Sequence, residues 1–275
     1  MKSGWGVLRS DPEMLVFPAI SGIACLILLA TFAVPFFLSN SWGLANSNRE
    51  TEQKVLFFGC WFVSYVALNF VMFFFNSAMV ACALIRLQGG DPTLGDGWRA
   101  AFSRLPANFG WAVLAATVGL VLKMIEARFK KIGEIVAGLL GCAWTLASFL
   151  AIPILIVENK GPFAALKEST RLLRNTWGEQ LIGNLSFGIL FFLLNIPGLL
   201  MIAAGVALGV QHDSWKIALS GAASGAAWFV ILALVQSAVQ CIFQTAVYLY
   251  ARDGVAPQGF DAEAMSGTVG VQAAA

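Results

Sequence analysis

Long apolar stretches, separated by short polar segments, dominate the pattern of hydrophobic and polar positions along this chain. A helix needs about 20 residues to cross the hydrocarbon of a bilayer, so long uncharged runs are candidate spans. Six such runs contain no Asp, Glu, Lys or Arg: 14–48, 55–85, 105–122, 135–157, 180–211 and 217–251. They predict six transmembrane helices, placed near 14–38, 55–85, 107–125, 135–157, 181–209 and 218–249.

Three shorter segments have the periodicity of amphipathic helices, and each of them precedes a pair of predicted spans. They lie at the N-terminus, between spans two and three, and between spans four and five. In the second segment Pro106 ends the helical pattern before the third span. The sequence therefore suggests a threefold pseudo-repeat, in which a cytoplasmic surface helix is followed by an outward and a returning span.

The third amphipathic segment, 162–177, carries an apolar stripe with basic residues beside it. Its stripe repeats at intervals of three and four residues: Phe163, Leu166, Thr170, Leu173 and Trp177. Lys167, Arg171 and Arg174 follow one flank of that stripe. Basic side chains on such a helix can extend to lipid phosphates while their stems cover apolar surface. These three residues are therefore candidate contacts to lipid headgroups.

Composition agrees with the apolar pattern and excludes a soluble domain. Hydrophobic residues make up 59% of the 275 positions and charged residues 12%, with a mean hydropathy of +0.78. Ordinary soluble domains carry about 25% charged residues. The fold class is therefore expected to be an all-α polytopic membrane helix bundle. We expect a transmembrane domain over 1–254 and a flexible cytoplasmic tail over 255–275.

The distribution of Lys and Arg predicts the orientation of the spans, because cytoplasmic loops are enriched in basic residues. With the N-terminus and C-terminus inside, ten basic residues lie on the cytoplasmic side and seven outside. Two of the inner loops, 86–104 and 160–174, are both basic and amphipathic. The basic segment 123–131 falls outside and is the main evidence against this orientation.

The stretch AIPILIVENKGPFAALKESTRLLRNTWGEQLIGN, residues 151–184, has a proline in the last turns of a span, followed by a glutamate and a glycine turn. An Ala-Leu-x-x-Ser helix start and a closing tryptophan come next. Together with the opening GWGVLRSDPEMLVFPAISGI and the late VYLYARDGVAPQGFD, it resembles a group of uncharacterised prokaryotic six-span membrane proteins. It is also similar to the membrane domain of glycerophosphoryl diester phosphodiesterases. The resemblance implies the fold and no catalytic residues.

Neutral polar residues inside the spans form the candidate functional site. Gln236, Gln240 and Gln244 recur every four residues in span six, which places them in one sector of the helix. The candidate partners are Asn69, Asn76 and Asn195 in spans two and five. Amides exposed to lipid are costly, so this polar stripe either forms hydrogen bonds between helices or lines a cavity or a headgroup path.

The sequence offers little for catalysis or for metal binding. The five cysteines lie in spans without paired spacing, and His212, in a predicted loop, is the one histidine. We therefore expect no cofactor and no metal. A lipid-modifying enzyme would need acidic or nucleophilic residues near the cytoplasmic face, and Glu158 and Asp91 are the acidic residues in such positions. The simpler interpretation is that both are ordinary loop residues.

These observations favour a non-enzymatic structural or accessory protein of the prokaryotic inner membrane. The expected partners are membrane lipids, and no nucleic acid is expected. The alternative is a channel, a passive transporter or the membrane component of an export system. Carboxylates deep in the spans, which ion-coupled pumps use, are absent from the six runs.

Overall fold

The computed structural model describes residues 2–38, 51–177 and 186–260, and the regular elements in these ranges are helices. Six stretches are long and apolar enough to cross a membrane: Pro12–Phe32, Phe58–Leu87, Leu105–Arg128, Gly133–Val157, Leu190–Gln211 and Trp215–Asp253. The predicted all-α polytopic bundle of six spans is therefore confirmed. The first residues of the predicted fifth span, 181–185, lie outside the described residues.

A short 3-10 turn, Pro12–Leu15, joins the first helix to the second. The helices of the described ranges, in chain order, are α1 (Lys2–Ser10), α2 (Val16–Leu38), α3 (Thr51–Leu87), α4 (Leu94–Ser103), α5 (Leu105–Ser148), α6 (Ala151–Val157), α7 (Pro162–Trp177), α8 (Ser186–Gln211) and α9 (Trp215–Asp253). The amphipathic α1, α4 and α7 each precede a pair of spans, in the arrangement that the sequence predicts.

α5 contains the third span and most of the fourth, and its two halves lie side by side. The rings of Trp111 and Trp144 stack with their centroids 5.8 Å apart. An unbent helix would separate these two residues by about 50 Å. A Cβ atom placed on Gly141 would lie 3.9 Å from Leu122 Cδ1. The chain therefore reverses direction between Leu122 and Gly141, which forms the predicted hairpin between spans three and four.

The fourth span is interrupted at Phe149 and Leu150, between α5 and α6. A proline ring clashes with the carbonyl four residues earlier, and Pro153 stands four residues after Phe149. At the interruption the Leu150 N–H donates to Ser169 Oγ of α7 over 3.1 Å. The amphipathic α7 is thus hydrogen-bonded to the break in the span.

α7 packs on the bundle with a face that only partly overlaps its apolar stripe. Ala165, Ser169 and Leu173, spaced four residues apart, are the buried positions, whereas Phe163 is 74% exposed. Thr170 of the predicted stripe is also exposed. The small side chains of Ala165 and Ser169 allow the helix to approach the break at Leu150. Hydrophobic periodicity could not identify this face, because two of its three residues are not large apolar ones.

The buried core lies at one end of the bundle, which we call the surface-helix end because α1, α4 and α7 each pack on the long helices there. Met79 of α3, Leu155 of α6 and Ile242 of α9 are at most 1% exposed in this region. α8 packs mainly on α9. A Cβ atom on Gly205 would lie 2.4 Å from Gly221 Cα. The small residues of these two helices therefore permit a close approach.

The end of the described chain returns to the surface-helix end. α9 ends at Asp253, and its C-cap Gly254 has a left-handed φ of 70°. Gln258 then donates its N–H to the carbonyl oxygen of Leu87 over 3.1 Å. Residues 261–275 of the predicted tail lie outside the described residues, and the division into a domain and a flexible tail stays a prediction.

Candidate functional site

A cavity of about 280 Å³ lies between α3, α5, α6 and α9, within the depth of the candidate spans. Amide, hydroxyl, thiol and aromatic side chains make up most of its wall. We call it the polar cavity, and its lining residues are Phe73, Asn76, Trp111, Ala115, Trp144, Thr145, Ser148, Phe149, Ile152, Ser237, Gln240, Cys241 and Gln244.

Three amides from two helices converge on the polar cavity. Gln240 and Gln244 stand one turn apart on α9, and Asn76 comes from α3. Within the part of the chain that the structure describes, no hydrogen bond involves any of these three amide side chains. Each amide offers two N–H donors and one carbonyl acceptor. The cavity therefore presents unused donors and acceptors in an apolar part of the bundle.

Two hydroxyls from the second half of α5 add to the wall. Thr145 Oγ1 donates to the carbonyl oxygen of Gly141 over 2.9 Å, and Ser148 Oγ donates to that of Trp144 over 2.7 Å. Each hydroxyl thus uses its proton within its own helix, as Ser and Thr often do. The oxygen atoms of these two hydroxyls can therefore only accept hydrogen bonds from a molecule in the cavity.

Trp111 is the most unusual residue of the wall. It is 3% exposed, stacks on Trp144 and meets Phe73 edge to face, with ring centroids 6.2 Å apart. Its buried Nε1 atom has no hydrogen-bond partner among the described residues. Buried indole N–H groups usually have a partner, and each exception requires an explanation. A group that accepts a hydrogen bond inside the cavity would supply one.

The polar cavity is closed towards the surface-helix end. On α3 the residues that follow Asn76 in this direction, 77–83, are all buried. The same holds for residues 153–156 of α6 and for 245–250 of α9. The hydrogen bond from Ser77 Oγ to Asn108 Oδ1, 2.7 Å long and fully buried, also lies beside this part of the wall. Three spans thus pack without a gap on this side.

The opposite side of the cavity is open, and its rim is polar. Thr145, Ser237 and Gln240 are exposed there. Gln240 stands 13 residues before the end of α9, which corresponds to about 20 Å along the helix. The hydrocarbon core of a bilayer is about 30 Å thick. Because Gln240 lies inside the candidate span Trp215–Asp253, we place the mouth of the cavity at the depth of the hydrocarbon.

The structure brings together only part of the predicted polar stripe. Gln240, Gln244 and Asn76 share the polar cavity, whereas Gln236 is not among its lining residues. Asn69 Nδ2 donates to the carbonyl oxygen of Tyr65 over 2.8 Å, and Asn195 Nδ2 to that of Phe191 over 2.7 Å. These two predicted partners are thus bonded within their own helices, and a functional role for the stripe stays a prediction.

The predicted headgroup residues all lie on the exposed side of α7. Lys167 and Arg174 form no ion pair among the described residues, whereas Arg171 donates from Nε to Glu168 Oε1 over 3.1 Å. This hydrogen bond is the main reason why the pKa of Glu168 lies below its ordinary value. Arg171 is therefore partly neutralised, and Lys167 and Arg174 remain the candidates for lipid phosphates.

Glu168 belongs to a chain of charges that links α7 to the ends of α6 and α9. Lys160 Nζ lies 2.6 Å from Glu158 Oε2 and 3.5 Å from Glu168 Oε2. The pKa of Lys160 is raised, mainly through its hydrogen bond with Glu158. Glu158 Oε1 also accepts a 3.0 Å hydrogen bond from Tyr248 Oη. The carboxylates at this position therefore have structural partners.

An apolar groove of about 410 Å³ lies on the other side of α9, between α1, α8 and α9. Trp228 Nε1, at its edge, donates to the carbonyl oxygen of Leu194 over 3.0 Å. α9 thus separates this groove from the polar cavity. The groove is lined by Trp5, Leu190, Phe191, Leu194, Trp228, Ile231, Leu232, Val235 and Val239.

Comparison with known proteins gives a family match without an activity. Residues 55–259 match the model of a family described as "Family of unknown function (DUF6159)". No curated protein and no solved structure matches the chain. The similarity to the membrane domain of glycerophosphoryl diester phosphodiesterases therefore stays a prediction from the sequence.

Proposed function

The chain belongs to the DUF6159 family of unknown function, and from this premise we propose that it is a non-enzymatic accessory protein of the prokaryotic inner membrane. Its polar cavity, in this proposal, binds a small uncharged molecule within the bilayer. The side chains that line the cavity bind this molecule, and the six spans position them.

The observation that carries the proposal is a cavity with unused hydrogen-bonding groups that is closed on one side. Asn76, Gln240 and Gln244 supply amides, and Trp111 supplies an unpartnered indole N–H. Unsatisfied polar groups in an apolar environment are costly, so their retention in one cavity is consistent with a bound molecule that satisfies them.

Binding is supported better than conduction because the cavity does not continue through the bundle. Residues 77–83, 153–156 and 245–250 are buried on three of the four helices that line the cavity, in the direction of the surface-helix end. A passive transporter is the second candidate, and the exposure of Gln240 at the open mouth favours it. Such a protein would have to separate these packed residues during transport.

The side chains of the wall support a non-enzymatic role. General acid–base catalysis relies mostly on imidazole, carboxylate, ammonium, phenol or thiol groups placed against a substrate. Amides and hydroxyls dominate the polar part of this wall, and Cys241, its thiol, is 2% exposed. These groups are suited to hold a molecule by hydrogen bonds.

To test the binding proposal, the protein is purified in lipid nanodiscs. Small molecules that co-purify with it are then extracted and identified by mass spectrometry. Gln240→Leu removes an amide at the mouth, and the matched control Asn195→Leu removes an amide that bonds within its own helix. We expect one molecule to be lost from Gln240→Leu and retained in Asn195→Leu. Identical extracts from both variants and the wild type would refute the proposal.

The transport alternative requires a separate measurement. Proteoliposomes that contain the wild-type chain are expected to release small neutral solutes no faster than empty liposomes. A flux that depends on the protein and falls in Gln240→Leu would replace the binding proposal by passive transport.

A further inference from the structure

We infer that the polar cavity binds the head of an uncharged amphiphile, whose oxygen atoms accept hydrogen bonds from Trp111 and from the amides. This inference rests on the proposed function, and it names the class of ligand for the same site. Three properties of the wall support it, namely its lack of charge, its donors and its position in the bilayer.

The lack of charge indicates an uncharged ligand. None of the lining residues of the polar cavity is an Asp, Glu, Lys, Arg or His. A charged group that enters an apolar site without a counter-charge loses its hydration and gains no ion pair. Phosphate-bearing headgroups are therefore disfavoured inside the cavity, although Lys167 and Arg174 remain available to them at the surface of α7.

The donors indicate oxygen atoms that accept hydrogen bonds. The indole N–H of Trp111 can only donate. Asn76, Gln240 and Gln244 add two N–H donors each, while the hydroxyls of Thr145 and Ser148 already donate within their helix. Trp111 is therefore the polar group of the wall that an acceptor alone can satisfy. Carbonyl, ester or ether oxygens of a ligand would satisfy the unpartnered donors.

The position of the mouth indicates a ligand that dissolves in the bilayer. The mouth stands about 20 Å from the end of α9, in the region of hydrocarbon. Apolar and aromatic side chains accompany the amides: Phe73, Phe149 and Ile152. A volume near 280 Å³ is close to the lower end of ligand sites and suits a head group, with the apolar tail left in the lipid.

Two kinds of membrane molecule share this chemistry. The head of an isoprenoid quinone is planar, uncharged and rich in carbonyl oxygens, and the rings of Trp111 and Trp144 could pack beside it. Diacylglycerol is uncharged and carries two ester carbonyls. Both molecules have acceptor oxygens on a neutral head, and the cavity selects this shared feature. The binding experiment below distinguishes the quinone from diacylglycerol.

The test measures binding of three probes to the full-length chain in nanodiscs by titration calorimetry. The probes are a benzoquinone with one isoprene unit, dioctanoylglycerol and, as the charged counterpart, dioctanoyl phosphatidylglycerol. We expect one of the two neutral probes to bind at least tenfold more tightly than phosphatidylglycerol. The neutral probe that binds identifies the source.

A pair of tryptophan variants tests the hydrogen bond. Trp111→Phe keeps an aromatic ring and removes the unpartnered N–H, whereas Trp228→Phe removes an N–H that already bonds to Leu194 outside the cavity. We expect Trp111→Phe to weaken binding by about threefold to tenfold, the effect of one hydrogen bond, and Trp228→Phe to leave it unchanged. If Trp111→Phe does not fold, Gln240→Leu at the exposed mouth takes its place.

The outcomes separate this inference from the proposed function. Equal or tighter binding of phosphatidylglycerol, or equal effects of the two tryptophan variants, would overturn the inference. If neither neutral probe binds, while a molecule that depends on Gln240 still co-purifies, the ligand class is wrong and the binding function stands. If no such molecule co-purifies either, both proposals fail.

Discussion

The polar residues of the spans have different roles because their neighbours differ. Asn69 and Asn195 donate to carbonyl groups four residues earlier in their own helices, whereas Asn76, Gln240 and Gln244 face a common cavity. An amide in a helix can form either arrangement, and its sequence position does not distinguish them. The structure assigns the roles through the helices that surround each residue.

The sequence could predict part of this site. The four-residue spacing of Gln240 and Gln244 placed them on one face, and Asn76 was a candidate partner for that face. Trp111 could not be identified, because an aromatic residue in an apolar run is expected to pack in the core whether or not its N–H has a partner. What distinguishes Trp111 from other aromatic residues of the spans is its packing against Trp144, which is distant in sequence.

Ser169 provides a prediction at the scale of a single residue. Its hydroxyl accepts the N–H of Leu150, and both residues are fully buried. Ser169→Ala would leave a buried N–H unpaired and should lower the free energy of unfolding by about 1–3 kcal/mol. The neighbouring Thr170→Ala, at an exposed position, is the control and should change it by less than about 0.5 kcal/mol. Unfolding titrations in mixed micelles measure both, and equal values would refute the prediction.

The helices themselves were largely predictable, but the positions of their breaks and contacts were not. Uncharged runs located the six spans, because the hydrocarbon thickness fixes their length. The proline in the last turns of the fourth span is visible in the sequence, whereas the hydrogen bond from Leu150 to Ser169 at the interruption is not. Leu173 of the apolar stripe of α7 is buried, but Ala165 and Ser169 pack beside it through close approach, which hydrophobic periodicity does not indicate.

The reversal within α5 gives a prediction at the scale of an element. In a cysteine-free background, Leu122→Cys combined with Gly141→Cys should form a disulfide on mild oxidation, since the two positions are in contact. An unbent helix would hold them about 28 Å apart. Mass spectrometry of the peptides detects the cross-link. The two single variants are the controls, and the absence of an intramolecular cross-link would argue against the hairpin.

The attachment of α7 should depend on pH through Glu168. Its pKa lies below the ordinary value of 4.5, mainly through the hydrogen bond with Arg171. A lowered folded-state pKa means that the stabilisation is fully present above pH 4.5 and is lost as the pH falls through the folded-state value. The Tm of Glu168→Gln should therefore lie below that of the wild type at pH 7, and the difference should shrink below pH 4. A difference that is equal at both pH values would contradict this.

A control variant tests whether removal of an exposed carboxylate without an ion pair also lowers the Tm. Glu126 is exposed and forms no ion pair among the described residues. Glu126→Gln should leave the Tm at pH 7 unchanged.

The whole molecule is packed unevenly along its axis. The core lies at the surface-helix end, while α2 and the far ends of α8 and α9 expose large apolar side chains such as Leu26, Leu200 and Val210. In a membrane these side chains contact lipid. Composition predicted the membrane as solvent, but it could not predict which end of the bundle would hold the core, because all six spans are similarly apolar.

Orientation is the prediction at the scale of the whole molecule. The basic loops 86–104 and 160–174 place the surface-helix end, with both termini, in the cytoplasm. Reporter fusions at positions 45 and 265 should give an external and a cytoplasmic signal, respectively. The reversed pair of signals would invert the bundle, and it would favour the basic segment 123–131 as the determinant of topology.

The position of α9 between the polar cavity and the apolar groove has a mechanical consequence. One face of this helix lines the apolar groove at Val239 and the other lines the polar cavity at Gln240. A displacement of the helix would therefore change both volumes together, so that occupancy of the groove by a lipid chain would alter affinity in the cavity. Such coupling is reciprocal by thermodynamic necessity, and each ligand must change the affinity of the other by the same factor. Titrations of the neutral head-group probe in nanodiscs of different acyl-chain length would measure that factor, and equal affinities would leave α9 as a rigid partition.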